Sequence, residues 1–381
     1  MSPHRPAPTA NDDEVLVASW ASEVQADALG LDETLRRTDL VLDRVCAELE
    51  RQWHSRCPEA ADVLRADLPE HLRGWLLPAT GKRLRPVMCH WGWVSAGGLT
   101  RETGRDDTVT VCAALELVHL FALVHDDVMD RSDSRRGRPT THVEAAEEHT
   151  VAGALGDPAL FGDSIAILFG DLALTESWVL TATLDPPLQR AWADMLRELV
   201  QGQLLDVTGA AARRRDLAQA RRVARLKSGA YTVQRPLLLG ALAARALADA
   251  LSALETFGGH LGEAFALRDV ILGIWGDPER TGKPVGDDLL RGKATVLLAE
   301  ARRLLPADVA ERHLGHRSVI TAADVEVLQQ LMLDVGVLEQ AEQRITREVD
   351  LALAALDHVD LDPTGADALR SLARSIAWRD A

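Results

Sequence analysis

Helical patterning over almost its whole length is what most limits the folds open to this chain. Alanine, leucine, arginine and glutamate dominate, aromatic residues make up only 4%, and alternating β-branched stretches are scarce. The periodicity predicts helices over roughly Val15 to Arg51, Pro86 to Ala96, Asp107 to His125, Asp163 to Leu184, Pro187 to Ala210, Asp216 to Lys227, Tyr231 to Ala248 and Leu251 to Leu272. Further helices are predicted over Thr295 to Leu305, Thr321 to Gly336 and Val337 to Ala355, with a last one ending near Trp378. Breaks fall at Gly/Pro-rich points: 78–86, 131–139, 153–162 and 276–292. No repeat at solenoid period is evident, and no linker is long or polar enough to divide the chain. The expected architecture is therefore all-α: one large helical bundle over 15–381 with a functional cavity between its helices, preceded by a flexible tail over 1–14.

Charge narrows the partners. The net charge of −16 argues against nucleic acid, so an anionic ligand has to be held by local basic residues and metal. No unbroken apolar run approaches the roughly 18 to 20 residues that span a bilayer. The first residues lack the apolar core of a signal peptide, and the cysteines have neither metal-site nor disulfide-framework spacing. The expectation is a cytoplasmic protein without a transmembrane segment.

Two acidic clusters interrupt otherwise apolar helices. The first reads His119-Leu-Phe-Ala-Leu-Val-His125-Asp126-Asp127-Val-Met-Asp130, followed by Arg135-Arg136-Gly137-Arg138-Pro139. The apolar run from Ala113 to Val124 predicts a buried helix. Three carboxylates at its C-terminus oppose the helix dipole, so cations must offset them. His119, Asp126 and Asp130 fall on one helical face. Asp126 and Asp130, one turn apart, suit a hard, oxygen-ligated cation such as Mg²⁺. Upstream, Gly81-Lys82-Arg83-Leu84-Arg85-Pro86 gathers three cations at a helix start, the composition of a phosphate site. The second acidic cluster begins at Asp269 and continues through a Gly/Pro-rich loop carrying Lys283, Asp287, Asp288 and Lys293. Two acid-tipped helices facing one another would make a metal cage. Between the clusters lie Gly202-Gln203-Leu-Leu-Asp206 and Lys227-Ser228-Gly229-Ala-Tyr231-Thr232, polar sets in apolar surroundings.

Together these segments resemble the trans-isoprenyl diphosphate synthases, the short-chain polyprenyl synthetase family, in collinear order from about Leu72 to Thr295. The resemblance implies an all-α bundle around a deep apolar cavity, usually a homodimer. It also implies head-to-tail transfer of an allylic diphosphate to isopentenyl diphosphate, with about three Mg²⁺ ions per active site. It assigns Asp126 and Asp130, supported by Asp127, to metal bridging the allylic diphosphate, and Asp269 to a further metal. Arg135, Lys227 and Lys283 match cations on the allylic diphosphate; Lys82, Arg85, His119 and Arg136 match the isopentenyl diphosphate site. Gln203 and Asp206 match polar residues lining the metal site, and Ser228 and Lys293 join the substrate-binding set.

The chain departs from the family pattern at the second motif. Asp-Asp-x-x-Asp is replaced by Asp269-Val270-Ile-Leu-Gly273, and the glutamine expected three residues before Asp269 is Ala266. The weakened motif leaves room for a non-elongating or regulatory paralogue, or for a terpene cyclase. A cyclase usually needs an Asn-Ser-Glu type metal motif, whereas the one asparagine here is Asn11 in the tail. By resemblance, Ala122 and Phe121, four and five residues before Asp126, floor the cavity in the pattern of a C20 rather than a C15 synthase.

Overall fold

The computed structural model describes residues 30–56, 64, 67–77, 81–135, 137–212, 216–277, 286–290, 293, 295–315 and 321–379. The expected N-terminal tail, Arg136 and Lys283 lie outside the described residues.

Helix α1 (Leu31–Arg56) opens with Asp32 and Glu33 and closes with His54 and Arg56, charges that suit its dipole at both ends. Its buried stripe, Leu31, Leu35, Leu42, Cys46 and Leu49, follows the helical period. α2 (Leu68–Leu76) starts with Pro69 in its first turn. α3 (Leu84–Ser95) is the central helix: every residue but Arg85 is buried. α4 (Arg105–Asp130) runs five residues beyond its expected end, so Asp126, Asp127 and Asp130 lie within its last turns rather than after them. A short hairpin follows, β1 (Ser134–Arg135) against antiparallel β2 (Arg138–Pro139), its turn helped by Gly137 at φ 72°.

α5 (Thr141–Val151), α6 (Pro158–Thr181), α7 (Pro186–Ala211) and α8 (Leu217–Val223) come next. In place of two separate helices around Lys227 and Tyr231, the chain continues from α8 into a π-helix (Ala224–Gln234) and directly into α9 (Arg235–Ala243). Pro236 supplies the local reason, since it has no N–H to return to the preceding turn. α10 (Ala248–Trp275) likewise outruns expectation, which places Asp269 inside the helix and not at its tip. α11 (Asp287–Leu290), α12 (Val296–Leu304), α13 (Ala307–Leu314), α14 (Ala322–Asp334), α15 (Val337–Ala355) and α16 (Pro363–Ala377) complete the described elements.

The larger apolar core joins α3, α9, α10, α15 and α16; a smaller one lies among α1, α2, α4 and α6. α3 and α9 approach so closely that a Cβ on Gly92 would sit 2.0 Å from the Leu237 carbonyl oxygen, and one on Gly240 would sit 1.8 Å from that of Cys89. Unbroken apolar runs understate hydropathy when a window carries one or two charges. By length and composition α4 and α6 could each cross a bilayer, but 61% of the apolar window of α4 is buried inside the protein. For α6 the figure is 28%, and Leu160, Ile167, Leu168, Trp178 and Val179 lie exposed along it.

Candidate active site

The carboxylates at the end of α4 divide by direction. Asp127 is buried and takes a forked pair of bonds from Arg135, Nε donating at 3.0 and 2.9 Å and Nη2 at 2.5 Å. Asp126 and Asp130, four residues apart, share the other face. Asp126 Oδ1 accepts from Lys227 Nζ at 2.7 Å and from Gln203 Nε2 at 3.0 Å. Lys227 Nζ also donates to Asp206 Oδ2 at 2.7 Å. Lys293 Nζ donates to Asp130 Oδ2 at 2.5 Å. Residues from four distant segments thus meet at one helix end, and the cations demanded by its acidic C-terminus are Arg135, Lys227 and Lys293.

Close backbone packing sets this geometry. A Cβ on Gly202 of α7 would lie 2.7 Å from the backbone nitrogen of Lys227, so the absence of a side chain brings Gln203 and Asp206 alongside the lysine. On its far side the π-helix meets α10, where a Cβ on Gly229 would lie 2.5 Å from the Gly262 carbonyl oxygen. Wider π-helical winding at functional positions is a recurrent device for aiming side chains. Ser228 follows Lys227 on it, half-buried.

Electrostatics follow from burial and these partners. Burial pushes the Asp126 carboxyl up, but Lys227, Lys293 and Arg135 together outweigh it and bring it down to about 2. Asp130 moves the other way, raised by burial and by the charge on Asp126 against the pull of Lys293. Burial disfavours charge on Lys227, yet Asp126 and Asp206 hold its ammonium above the ordinary lysine range. Arg135 is similarly held charged: burial opposes it and Asp127 prevails.

A second polar group lies around the start of α3. Of the three cations there, Arg83 is committed to the scaffold: it is 7% exposed and pairs with Asp39 at 2.6 Å and Glu116 at 3.6 Å. Arg85 donates to Thr232 Oγ1 at 3.0 Å, and its guanidinium lies 4.2 Å over the ring of Tyr231. The His119 ring is 6.5 Å from the same tyrosine. Lys82 stands half-buried beside them in sequence. The π-helix therefore serves both groups, Lys227 for one and Tyr231 with Thr232 for the other.

Below the carboxylates, Ala122 packs against the larger core and Phe121 against both. Phe121 meets His125 edge-on at 4.6 Å. His125 Nε2 lies 3.0 Å from the Ile167 carbonyl, and its ring fills the notch left by Gly170, where a Cβ would be 2.4 Å away. His125 thus locks α4 to α6.

Some expected residues pair with one another. Asp127, expected to support the metal, has both oxygens engaged by Arg135, and Arg135, expected on a diphosphate, is engaged by Asp127. Their closeness and burial explain both. Asp269 Oδ1 accepts from Arg379 Nη2 at 2.5 Å, a partner the sequence reading did not anticipate. Sequence reasoning passed over Arg379, which lies in no motif, and gave no role to Tyr231, although as the chain's one tyrosine inside the Lys227 segment it was visible.

Among the described residues, no three His, Cys, Asp or Glu side chains converge on a metal position. Asp126 and Asp130 still fit Mg²⁺ in its commonest mode, one or two protein carboxylates with waters and substrate phosphates filling the octahedron. The donor set suits an ion arriving with a phosphate ligand rather than a preformed protein cage.

Residues 72–332 match the family model described as polyprenyl synthetase. The geranylgeranyl diphosphate synthase of Mycobacterium tuberculosis is 34% identical over 324 residues, which cover 83% of this chain and 88% of the relative. The geranylfarnesyl diphosphate synthase of Aeropyrum pernix is 31% identical over 302 residues, 76% of this chain and 88% of the relative. Among solved structures, geranylgeranyl pyrophosphate synthase from Corynebacterium glutamicum, complexed with isoprenyl diphosphate and magnesium, superposes with a TM-score of 0.80 at 33% identity, covering 92% of this chain and 99% of that one. With its helical core and its clustered carboxylates and lysines, the chain belongs to the polyprenyl synthetase family of trans-isoprenyl diphosphate synthases.

Proposed function

We propose that this protein condenses isopentenyl diphosphate with an allylic diphosphate, head to tail, giving an all-trans C20 prenyl diphosphate. The allylic carbon–oxygen bond breaks and pyrophosphate leaves. A new carbon–carbon bond forms to isopentenyl diphosphate, and a proton is lost. The single observation that carries this reading is the pairing of Asp126 and Asp130 with Lys227 and Lys293 at one helix end. Mg²⁺ bound there would neutralise the diphosphate and stabilise it as a leaving group.

The chain's own residues do the rest. Lys227 and Lys293 already lie within bonding distance of the carboxylates, so each can turn to a phosphate oxygen as the carboxylates turn to metal. Asp206 keeps Lys227 charged and aimed, and Gln203 steadies Asp126. Lys82, Arg85 and His119 hold isopentenyl diphosphate, with Tyr231 and Thr232 orienting Arg85; by resemblance Arg136 and Lys283, and Ser228, add to the diphosphate contacts. Asp127 and Arg135 act as a strut holding the end of α4 to the hairpin. Ala122 leaves room for a growing chain and Phe121 limits it. Helices around the reacting carbons exclude the water that would quench an allylic cation.

The domain reading, one bundle over 15–381 after a tail over 1–14, belongs to the same proposal. So do a cytoplasmic location and a homodimer, whose interface is the exposed apolar face of α6 (Leu160, Ile167, Leu168, Trp178, Val179). The test is to offer purified protein isopentenyl diphosphate, Mg²⁺ and, in turn, C5, C10 and C15 allylic diphosphates. Elongated diphosphates ending at C20 are expected. A cyclised hydrocarbon, or no product from folded protein, would overturn the reading.

A further inference from the structure

The second acidic motif offers a poor divalent site. Asp269 is its only carboxylate: Val270 packs against the larger core, and Gly273 offers only its backbone carbonyl, which accepts from Gly286 N at 3.2 Å. That carboxylate already has a cation. Arg379, 7% exposed, bonds it at 2.5 Å and lies 4.3 Å over the ring of Phe265, one turn earlier on α10.

The arginine is held in place by its surroundings. Arg268 Nε donates to the Ala377 carbonyl at 2.6 Å, and its two terminal nitrogens fork onto Glu342 at 2.8 and 2.6 Å. This tethers the end of α16 to α10 two residues before Arg379. Asp269 is 53% exposed, while Arg379 Nε is buried without a hydrogen-bond partner among the described residues. A buried donor left unsatisfied is uncommon and calls for an acceptor.

The helices bring this pair toward the diphosphate residues. α10 runs antiparallel to the π-helix: Gln234 lies over Gly258, and Gly229 over Gly262. Continuing that register carries Lys227 toward the turn bearing Phe265 and Asp269. A guanidinium there is permanently charged and matches phosphate oxygens in forked geometry. Mg²⁺, by contrast, would find here one carboxylate where the first motif offers two, and that one is held by a guanidinium only 7% exposed.

We propose that Arg379 takes the place of a divalent cation at the second acidic motif. Diphosphate then binds with one metal ion fewer than the family resemblance implies, and with the Arg379 guanidinium as its third counter-cation. The inference rests on the diphosphate reading above and deepens it.

Mn²⁺ and inorganic pyrophosphate test it on the full chain, with bound Mn²⁺ counted by electron paramagnetic resonance at saturating pyrophosphate. The wild type should bind about two ions per chain, the number expected for a metal pair bridging phosphate oxygens. Arg379→Ala should weaken pyrophosphate binding by roughly tenfold or more, as loss of a charge-assisted bond does, and Arg379→Lys should recover part of that. Three ions in the wild type, with the third lost in Asp269→Ala, would overturn the proposal, as would unchanged pyrophosphate affinity in a folded Arg379→Ala protein. Failure to bind Mn²⁺ with pyrophosphate at all would instead sink the diphosphate reading itself.

Discussion

Placing a methyl group between the π-helix and α10 should disable the site without touching a functional side chain. In Gly229→Ala the new Cβ would meet the Gly262 carbonyl oxygen at 2.5 Å and its carbon at 2.7 Å, both rigid backbone. Relief to ordinary contact near 3.4 Å requires the helices to part by about 0.9 Å. Lys227 lies two residues away, and its bonds to Asp126 and Asp206 are each 2.7 Å. A shift of even two-thirds of that size moves both to the limit of hydrogen bonding. Misplacement on the order of 1 Å can cost about 100-fold in rate, so kcat should fall roughly 10- to 100-fold. The overpacking should also cost about 1–3 kcal/mol of stability. The assay is steady-state prenyl transfer alongside thermal melts, with Gly262→Ala building the same clash from the opposite side. Gly74→Ala in α2, where a Cβ meets nothing within 4 Å, is the control and should be neutral or stabilising by about 0.5–1 kcal/mol. Wild-type turnover in a folded Gly229→Ala protein would show that this packing does not position Lys227.

Three further outcomes are expected. Ala122→Phe should shorten the product by at least one isoprene unit, read by chromatography of the dephosphorylated alcohols; an unchanged profile would remove Ala122 from the cavity floor. Glutamate at Leu168 together with lysine at Val179 should convert a dimer to monomers in sedimentation, whereas an unaltered sedimentation coefficient would place the interface elsewhere. His90 is fully buried 3.0 Å from Thr34 Oγ1, and burial lowers its pKa to about 3. Because the unfolded chain takes up this proton near pH 6.5 and the folded one does not, His90 favours folding above pH 6.5 and loses that advantage as pH falls toward 3. Between pH 7.5 and 4.5 the wild type should lose about 3 kcal/mol more stability than His90→Gln in denaturant titrations; equal losses would contradict a buried neutral imidazole.

The long helices were legible because their apolar residues recur at the helical period, as in the buried stripe of α1. Shorter α2, α5 and α13 were not, since two or three turns carry too little periodic signal to stand out. The end of α4 was misjudged for an instructive reason. Local rules disfavour carboxylates at a helix C-terminus, but here cations from 8 to 163 residues away override them. The π-helix was invisible because its winding answers to Pro236 and to close contacts at Gly202 and Gly262, which a sequence does not display. At the site, Asp126, Asp130, Lys227 and Gln203 were legible from spacing and family pattern, and they do converge. The partner of Asp269 was not, because Arg379 is a single arginine among many and acquires meaning only from the fold that delivers it.

The central claim is that Asp126 and Asp130 engage a diphosphate through Mg²⁺, with Lys227 and Lys293 as its direct cations. Titration calorimetry of an allylic thiolodiphosphate, which binds without ionising, measures this directly. Binding should be at least about tenfold tighter with Mg²⁺ than with chelator, with the gain abolished in Asp126→Asn and Asp130→Asn. Equal affinity in the presence and absence of Mg²⁺ would contradict it.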